Sequence, residues 1–194
     1  MKPITIVILS LLITSCASDT FVMNKFRSVM FPAVVGYRAD NPLTVNLIAD
    51  DALRIEESSV TALRMFDETQ YKKSFYLKPV KSVEFSVVER TSPLADGKKA
   101  GIKAVFKSDK IDVYENDKYL YSYREKKINV DELLKFQIVQ DAKYTTMIVD
   151  CDTIIRHKTD IPGTEYTLFA TEEGAEIEIY SFDVSELYET LPLW

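Results

Sequence analysis

Cysteine occurs only twice in the 194 residues, as Cys16 and Cys151, and histidine and tryptophan once each, as His157 and Trp194. One disulfide is the most that two thiols can form. With a single imidazole, any metal site built on His157 and a cysteine would need carboxylates to complete it. Glycine is also scarce: five residues, well under the usual frequency of about 7 per cent, exclude collagen-like and glycine-rich linker architectures. Basic residues come only in small groups, Lys72-Lys73, Lys98-Lys99, Arg124 to Lys127 and Arg156 to Lys158, and the formal net charge is −6. Nucleic-acid binding draws its affinity from concentrated phosphate neutralisation, so this dispersal argues against it. Internal repeats, low-complexity tracts and sustained helical periodicity are missing too.

One apolar run opens the chain. Lys2 is followed by Ile4-Thr5-Ile6-Val7-Ile8-Leu9-Ser10-Leu11-Leu12-Ile13. That is too short to cross a bilayer, which takes roughly 20 apolar residues. A charged start, a short apolar stretch and small residues after it describe an export signal that is removed. The end of the run, Ile13-Thr14-Ser15-Cys16, resembles the lipobox of bacterial lipoproteins. That resemblance implies cleavage before Cys16, a diacylglyceryl group on its thiol and a further acyl chain, commonly palmitate, on the new amino terminus. One acyl chain holds a membrane only marginally, and two or three hold it stably. The expectation is a signal peptide over 1–15 and a lipid-anchored protein of the bacterial cell envelope. Ala17-Ser18 lack the aspartate that marks inner-membrane retention in enteric bacteria, so the outer membrane is expected. With Cys16 acylated, Cys151 has no partner, and stability must come from packing.

From Pro42 onward the dominant period is two, the period of strands. Leu43, Val45 and Leu47 alternate with polar neighbours, as do Leu53 and Ile55; Val83, Phe85 and Val87; and Ala100, Ile102, Ala104 and Phe106. Turn residues separate these runs at Ser92-Pro93, Asp96-Gly97, Ser108-Asp109, Glu115-Asn116-Asp117 and Pro162-Gly163. Many short strands with turns every ten or so positions predict an all-β domain, a sandwich or a barrel, with few or no helices. The segment 16–41 holds Phe21, Val22, Met23, Phe26, Val29, Met30 and Phe31, too apolar for a disordered tether. It is expected to pack as a first edge strand or short helix, ahead of a domain spanning 42–194.

The C-terminal half has a more particular order. The strand Phe136 to Gln140 is followed by Tyr144 to Val149, the turn Asp150-Cys151-Asp152, and the return strand Thr153 to His157. Tyr166 to Ala170, the acidic turn Glu172-Glu173-Gly174 and Glu176 to Val184 complete it. This order is similar to the end of concanavalin A-like and laminin-G-like jelly rolls, and Val83 to Tyr114 looks like their central strands. Cys151-Asp152 departs from the glycine common at that hairpin. The resemblance implies an antiparallel β-sandwich of the concanavalin A-like type; immunoglobulin-like sandwiches and lipocalin-like barrels are the alternatives.

Cys151 and His157 are the only pair that suggests a nucleophile and base, but these must lie within hydrogen-bond reach, and the two lie six residues apart on one hairpin. Asp150, Asp152 and Asp160 are weak candidates for calcium, since the resembled domains sometimes bind it at loop rims. Aspartates in turns more often satisfy local amides. Glu176 and Glu178 share a strand face, but Tyr180, Ser181 and Phe182 fill the places where a glucanase-type strand carries its next carboxylate. The segment reads as the polar face of a terminal strand, and no catalytic residue is assigned. Tyr119, Tyr121 and Tyr123 alternate, so they should point to one face, where rows of aromatics can stack on sugar rings. The sequence-level reading is thus a non-catalytic envelope lipoprotein that needs no cofactor and binds a glycan or glycoconjugate. A structural lipoprotein docking an envelope protein is the alternative, and a divergent glycan-active hydrolase the second.

Overall fold

The computed structural model describes residues 21–27, 32–39, 45–49, 52–56, 59–64, 70–91, 101–164 and 166–186. The expected signal segment over 1–15, Cys16 and the turn signals at 92–97 lie outside these. Fifteen strands are found among the described residues, and no helix. In chain order they are β1 Phe21–Arg27, β2 Pro32–Ala39, β3 Val45–Ala49, β4 Ala52–Glu56, β5 Ser59–Arg64, β6 Tyr71–Pro79, β7 Phe85–Glu89 and β8 Ile102–Phe106. Then come β9 Ile111–Glu115, β10 Lys118–Tyr123, β11 Leu134–Gln140, β12 Tyr144–Val149, β13 Asp152–Lys158, β14 Thr167–Thr171 and β15 Glu176–Glu186.

They form two antiparallel sheets. One has eight strands in the order β1-β2-β5-β14-β7-β8-β9-β10, the other seven in the order β13-β12-β11-β6-β15-β4-β3. The apolar alternation becomes the interior between them: Phe75, Leu77, Phe136, Ile138, Ile177 and Ile179 from one sheet meet Phe85, Val87, Ala104, Phe106, Val113 and Phe169 from the other. Phenylalanines knit the layers. Phe75 stacks on Phe136 at 4.8 Å and meets Phe169 edge-on at 5.1 Å, while Phe106 meets Phe136 at 5.4 Å. Such pairs add to the area term that drives burial. The lead-in segment supplies β1 and β2 at one edge of the eight-stranded sheet, so strand structure begins before residue 42.

An ion pair is buried within this core. Lys73 and Glu89, both 0% exposed, pair across the sheets at 2.6 Å. Lys73 also donates to the Tyr166 carbonyl at 2.7 Å, and Glu89 accepts from Thr167 at 2.7 Å and from Gln140. Burial pushes the Glu89 carboxyl up, against the pull of Lys73. Beside it Arg90, in the left-handed region at φ 55°, donates to Thr145 Oγ1 and to the carbonyls of Asp141, Tyr144 and Ile161. Gly101 lies against this turn. A Cβ there would sit 2.2 Å from the Glu89 carbonyl, which only glycine avoids.

Candidate functional site

β15 is the last described strand in the chain yet lies inside the seven-stranded sheet, between β6 and β4. Its polar residues are therefore not the exposed face of a terminal strand. Glu176 and Glu178 are 4% and 3% exposed on the sheet's open side, covered by cations from both neighbouring strands. Register sets Glu178 between Arg54 of β4 and Lys78 of β6. Arg54 Nη2 lies 2.5 Å from Glu178 and Lys78 Nζ 3.0 Å, and the Tyr180 hydroxyl donates to the same carboxylate. Glu176 takes Arg54 at 3.1 Å and Lys81 at 2.9 Å. Burial alone would raise Glu178, but the donors from Tyr180, Arg54 and Lys78 outweigh it and hold the group at about 2. A carboxylate so low and so fully bonded has no proton to give as a general acid.

The next row contains the hollow. Tyr180 faces Tyr76 across β15 and β6, and Tyr76 faces Lys135 across β6 and β11. A register shift follows Tyr180, where Ser181 adopts φ 50°, and this bulge leaves Tyr180 and Ser181 both at the surface before Phe182 turns inward. The turn ahead of β11 raises one wall: Asp131 N–H donates to the Pro79 carbonyl at 2.7 Å, and Leu133 stands 54% exposed. Tyr76, Lys78, Leu133, Tyr180 and Ser181 line a hollow of about 370 Å³. Two phenol rings, an exposed leucine and a fixed ionic row combine apolar surface with polar groups, the mix that small-ligand sites use.

The sequence-level candidates are placed differently. Tyr119, Tyr121 and Tyr123 do not form one open row, because a bulge between Tyr119 and Tyr121 breaks the alternation. Tyr119 is 53% exposed, with its ring 5.7 Å from Tyr114 and its hydroxyl on Ser122. Tyr121 and Tyr123 are half-buried against the core, and the Tyr121 hydroxyl donates to the Ile154 carbonyl at 3.1 Å. Of the calcium candidates, Asp150 and Asp152 share Lys126, whose Nζ lies 2.6 and 3.5 Å away, so an ammonium holds the place between them. Asp160 is exposed in the turn after β13. No group of three His, Cys, Asp or Glu residues able to hold a metal ion exists among the described residues. Cys151 is a free, exposed thiol in its turn, and His157 lies at the other end of β13, 3.4 Å from Glu115.

Tyr76 and Lys78 escaped the sequence reading because β6 did. Its inward positions are Tyr71, Lys73, Phe75, Leu77 and Pro79, and the buried Lys73 breaks the apolar alternation. The readable signal was Tyr-Lys-Lys-Ser-Phe-Tyr-Leu taken with one inward charge allowed.

No family model matches the sequence, nor does any curated protein sequence. Solved structures do match in shape. A carbohydrate-binding module, CBM66 of Bacillus subtilis, superposes with a TM-score of 0.58 at 14% identity, over 77% of this chain and 95% of that one. The exoplasmic/lumenal domain of VIP36, in its Ca2+/Man2-bound form, matches with a TM-score of 0.59 at 12% identity over 86% of each chain. An alginate lyase of polysaccharide lyase family 7 matches with a TM-score of 0.55 at 11% identity, over 76% of this chain and 84% of that one. At such identities the likeness shows the fold alone. The chain is an all-β jelly roll of the type found in carbohydrate-binding modules and lectins, and also in some enzymes that act on glycans.

Proposed function

We propose that this protein is a lipid-anchored, non-catalytic glycan-binding protein of the bacterial cell envelope, whose binding site is the Tyr76–Tyr180 hollow. The observation that carries the reading is the pairing of two surface tyrosines and exposed Leu133 above an ionic row already saturated by its own partners. Exposed apolar surface of this kind gains from covering a sugar ring, whose carbon face is apolar and whose hydroxyls meet the polar rim. The neighbours in shape include a carbohydrate-binding module and a mannose-bound lectin domain, which supports the same class of ligand. The bonding of Glu176 and Glu178 argues for binding rather than hydrolysis. The lipobox at Ile13-Thr14-Ser15-Cys16 supports anchoring through Cys16, with the outer membrane as the expected site.

The test is a thermal-shift screen of the lipidated protein in mild detergent against oligosaccharides, with and without calcium. A ligand at 100 times its Kd adds about 2.7 kcal/mol of stability and raises the Tm visibly. A saccharide-specific shift that falls to about half in Tyr76→Ala supports the reading, and a flat screen on folded protein redirects it to a protein partner. For the anchor, Cys16→Ser should abolish palmitate labelling and release the protein from the membrane fraction. Retention and labelling in that variant would refute lipidation at Cys16.

A further inference from the structure

The charges around the hollow are unequal in one respect. Lys78, Arg54 and Lys81 on the neighbouring rows are all committed to Glu176, Glu178 or Glu56. Lys135, beside Tyr76 in the hollow's own row, is exposed, and among the described residues no salt bridge engages its ammonium. The nearest carboxylate in register cannot neutralise it without giving up other bonds. Asp150 accepts from the Lys135 backbone N–H at 2.9 Å with one oxygen and pairs with Lys126 at 2.6 Å with the other. Asp183 sits one row further along, facing Ser74 on the β15 side of β6, whereas Lys135 lies on the β11 side. Both backbone groups of Lys135 are held by Asp150, whose N–H also donates to the Lys135 carbonyl at 2.7 Å. An available cation is therefore carried from a fixed backbone position in register with Tyr76, at the border of the hollow, in a chain whose net charge is −6.

Resting on the glycan reading above, we infer that the hollow selects a saccharide carrying a carboxylate, with the sugar ring over Tyr180 and Tyr76 and the carboxylate at Lys135. Neighbouring strands lie about 4.8 Å apart, so the row Tyr180–Tyr76–Lys135 spans about 10 Å, roughly the length of a disaccharide. The two tyrosines supply sequence-tolerant contact with ring carbons, and the ammonium supplies the discrimination. A neutral sugar would leave the ammonium without a partner. A uronate would give it a charge-assisted hydrogen bond, shorter and stronger than a neutral one.

The experiment uses pairs of oligosaccharides of equal length and linkage that differ in the C6 carboxylate: galacturonate against galactose, mannuronate against mannose, and glucuronate against glucose. Binding to the full lipidated protein in detergent is measured by calorimetry at low and high salt. In at least one pair the acidic member should bind at least tenfold more tightly, an advantage that both Lys135→Gln and high salt remove. Lys118→Gln, an exposed lysine on β10 of the other sheet, should leave the advantage intact. Equal or better binding of the neutral member in every pair that binds would overturn this inference and leave the glycan reading standing. If no member of any pair binds, both fall together. If the acidic preference survives Lys135→Gln, the assignment to Lys135 is refuted.

Discussion

Two sets of tyrosines can be compared in this sandwich, and they differ in what holds them. Tyr119, Tyr121 and Tyr123 are close in sequence on β10, an edge strand of the eight-stranded sheet. A bulge turns two of them toward the core, where they cover the end of the interior. Tyr76 and Tyr180 are far apart in sequence but adjacent in space, at the centre of the other sheet and on its open side. Tyr121 and Tyr123 of the first set pack against the core, whereas both members of the second make a surface. Aromatic residues that look alike in a sequence are sorted by strand register and by which face of which sheet they occupy.

The strongest way to break the contrast is to remove what holds β6 from beneath. Glu89→Ala would leave Lys73 buried without its counter-charge and should cost about 3–5 kcal/mol in urea unfolding. A Lys73→Met/Glu89→Leu double variant should recover most of that loss, because the remaining uncompensated charge is gone. Next comes acid. Glu178 is held at about 2 in the folded protein against an ordinary value of 4.5. A depressed carboxyl contributes stability that is present above about pH 4.5 and is lost as pH falls toward 2. At about 1.4 kcal/mol per pH unit, its share is on the order of 3 kcal/mol. Tyr180→Phe removes one donor to Glu178, so acid unfolding should begin at a higher pH in that variant, as followed by circular dichroism. An unchanged acid midpoint would count against the Tyr180–Glu178 bond.

Within the tyrosines, Tyr121→Ala should destabilise by about 2 kcal/mol, from lost apolar contact and the bond to Ile154, without changing saccharide affinity. Tyr76→Ala should show the reverse: a small change in Tm, but saccharide binding weaker by about tenfold, or about 1.4 kcal/mol. If Tyr121→Ala abolishes binding and Tyr76→Ala does not, the roles of the two sets are exchanged. The smallest effect is expected for Tyr119→Ala, whose exposed ring meets Tyr114 and whose hydroxyl meets Ser122. It should stay within about 0.5 kcal/mol of the parent in stability, as surface substitutions usually do.

Much of the fold was legible because burial between two sheets writes itself into alternation. Phe85 and Val87, Ile102 to Phe106, Phe136 to Gln140 and Tyr144 to Val149 all read correctly as strands. The turn Asp150-Cys151-Asp152 was equally plain, with Asp150 at φ 57° entering the return strand. β5 was not recognised, and β6 was hidden by a single inward lysine. The candidate site fared worse. Glu176 and Glu178 were seen to share a face, but their cationic cover from Arg54, Lys78 and Lys81 comes from distant segments that alternation does not align.

What the sequence determined by itself is the class: an all-β chain whose apolar period of two requires a covered sheet face. That is a local property, carried by neighbouring residues and their spacing. What only the tertiary structure decided is the order of the strands, and with it the partners of each side chain. Pairing β15 with β6 sets Tyr180 beside Tyr76 and Glu178 beside Lys78, and pairing β6 with β11 sets Lys135 at the end of that row. A strand's alternation says which residues face out. It carries no information about which strand lies alongside, because the pairing is made by backbone hydrogen bonds that every residue but proline can form.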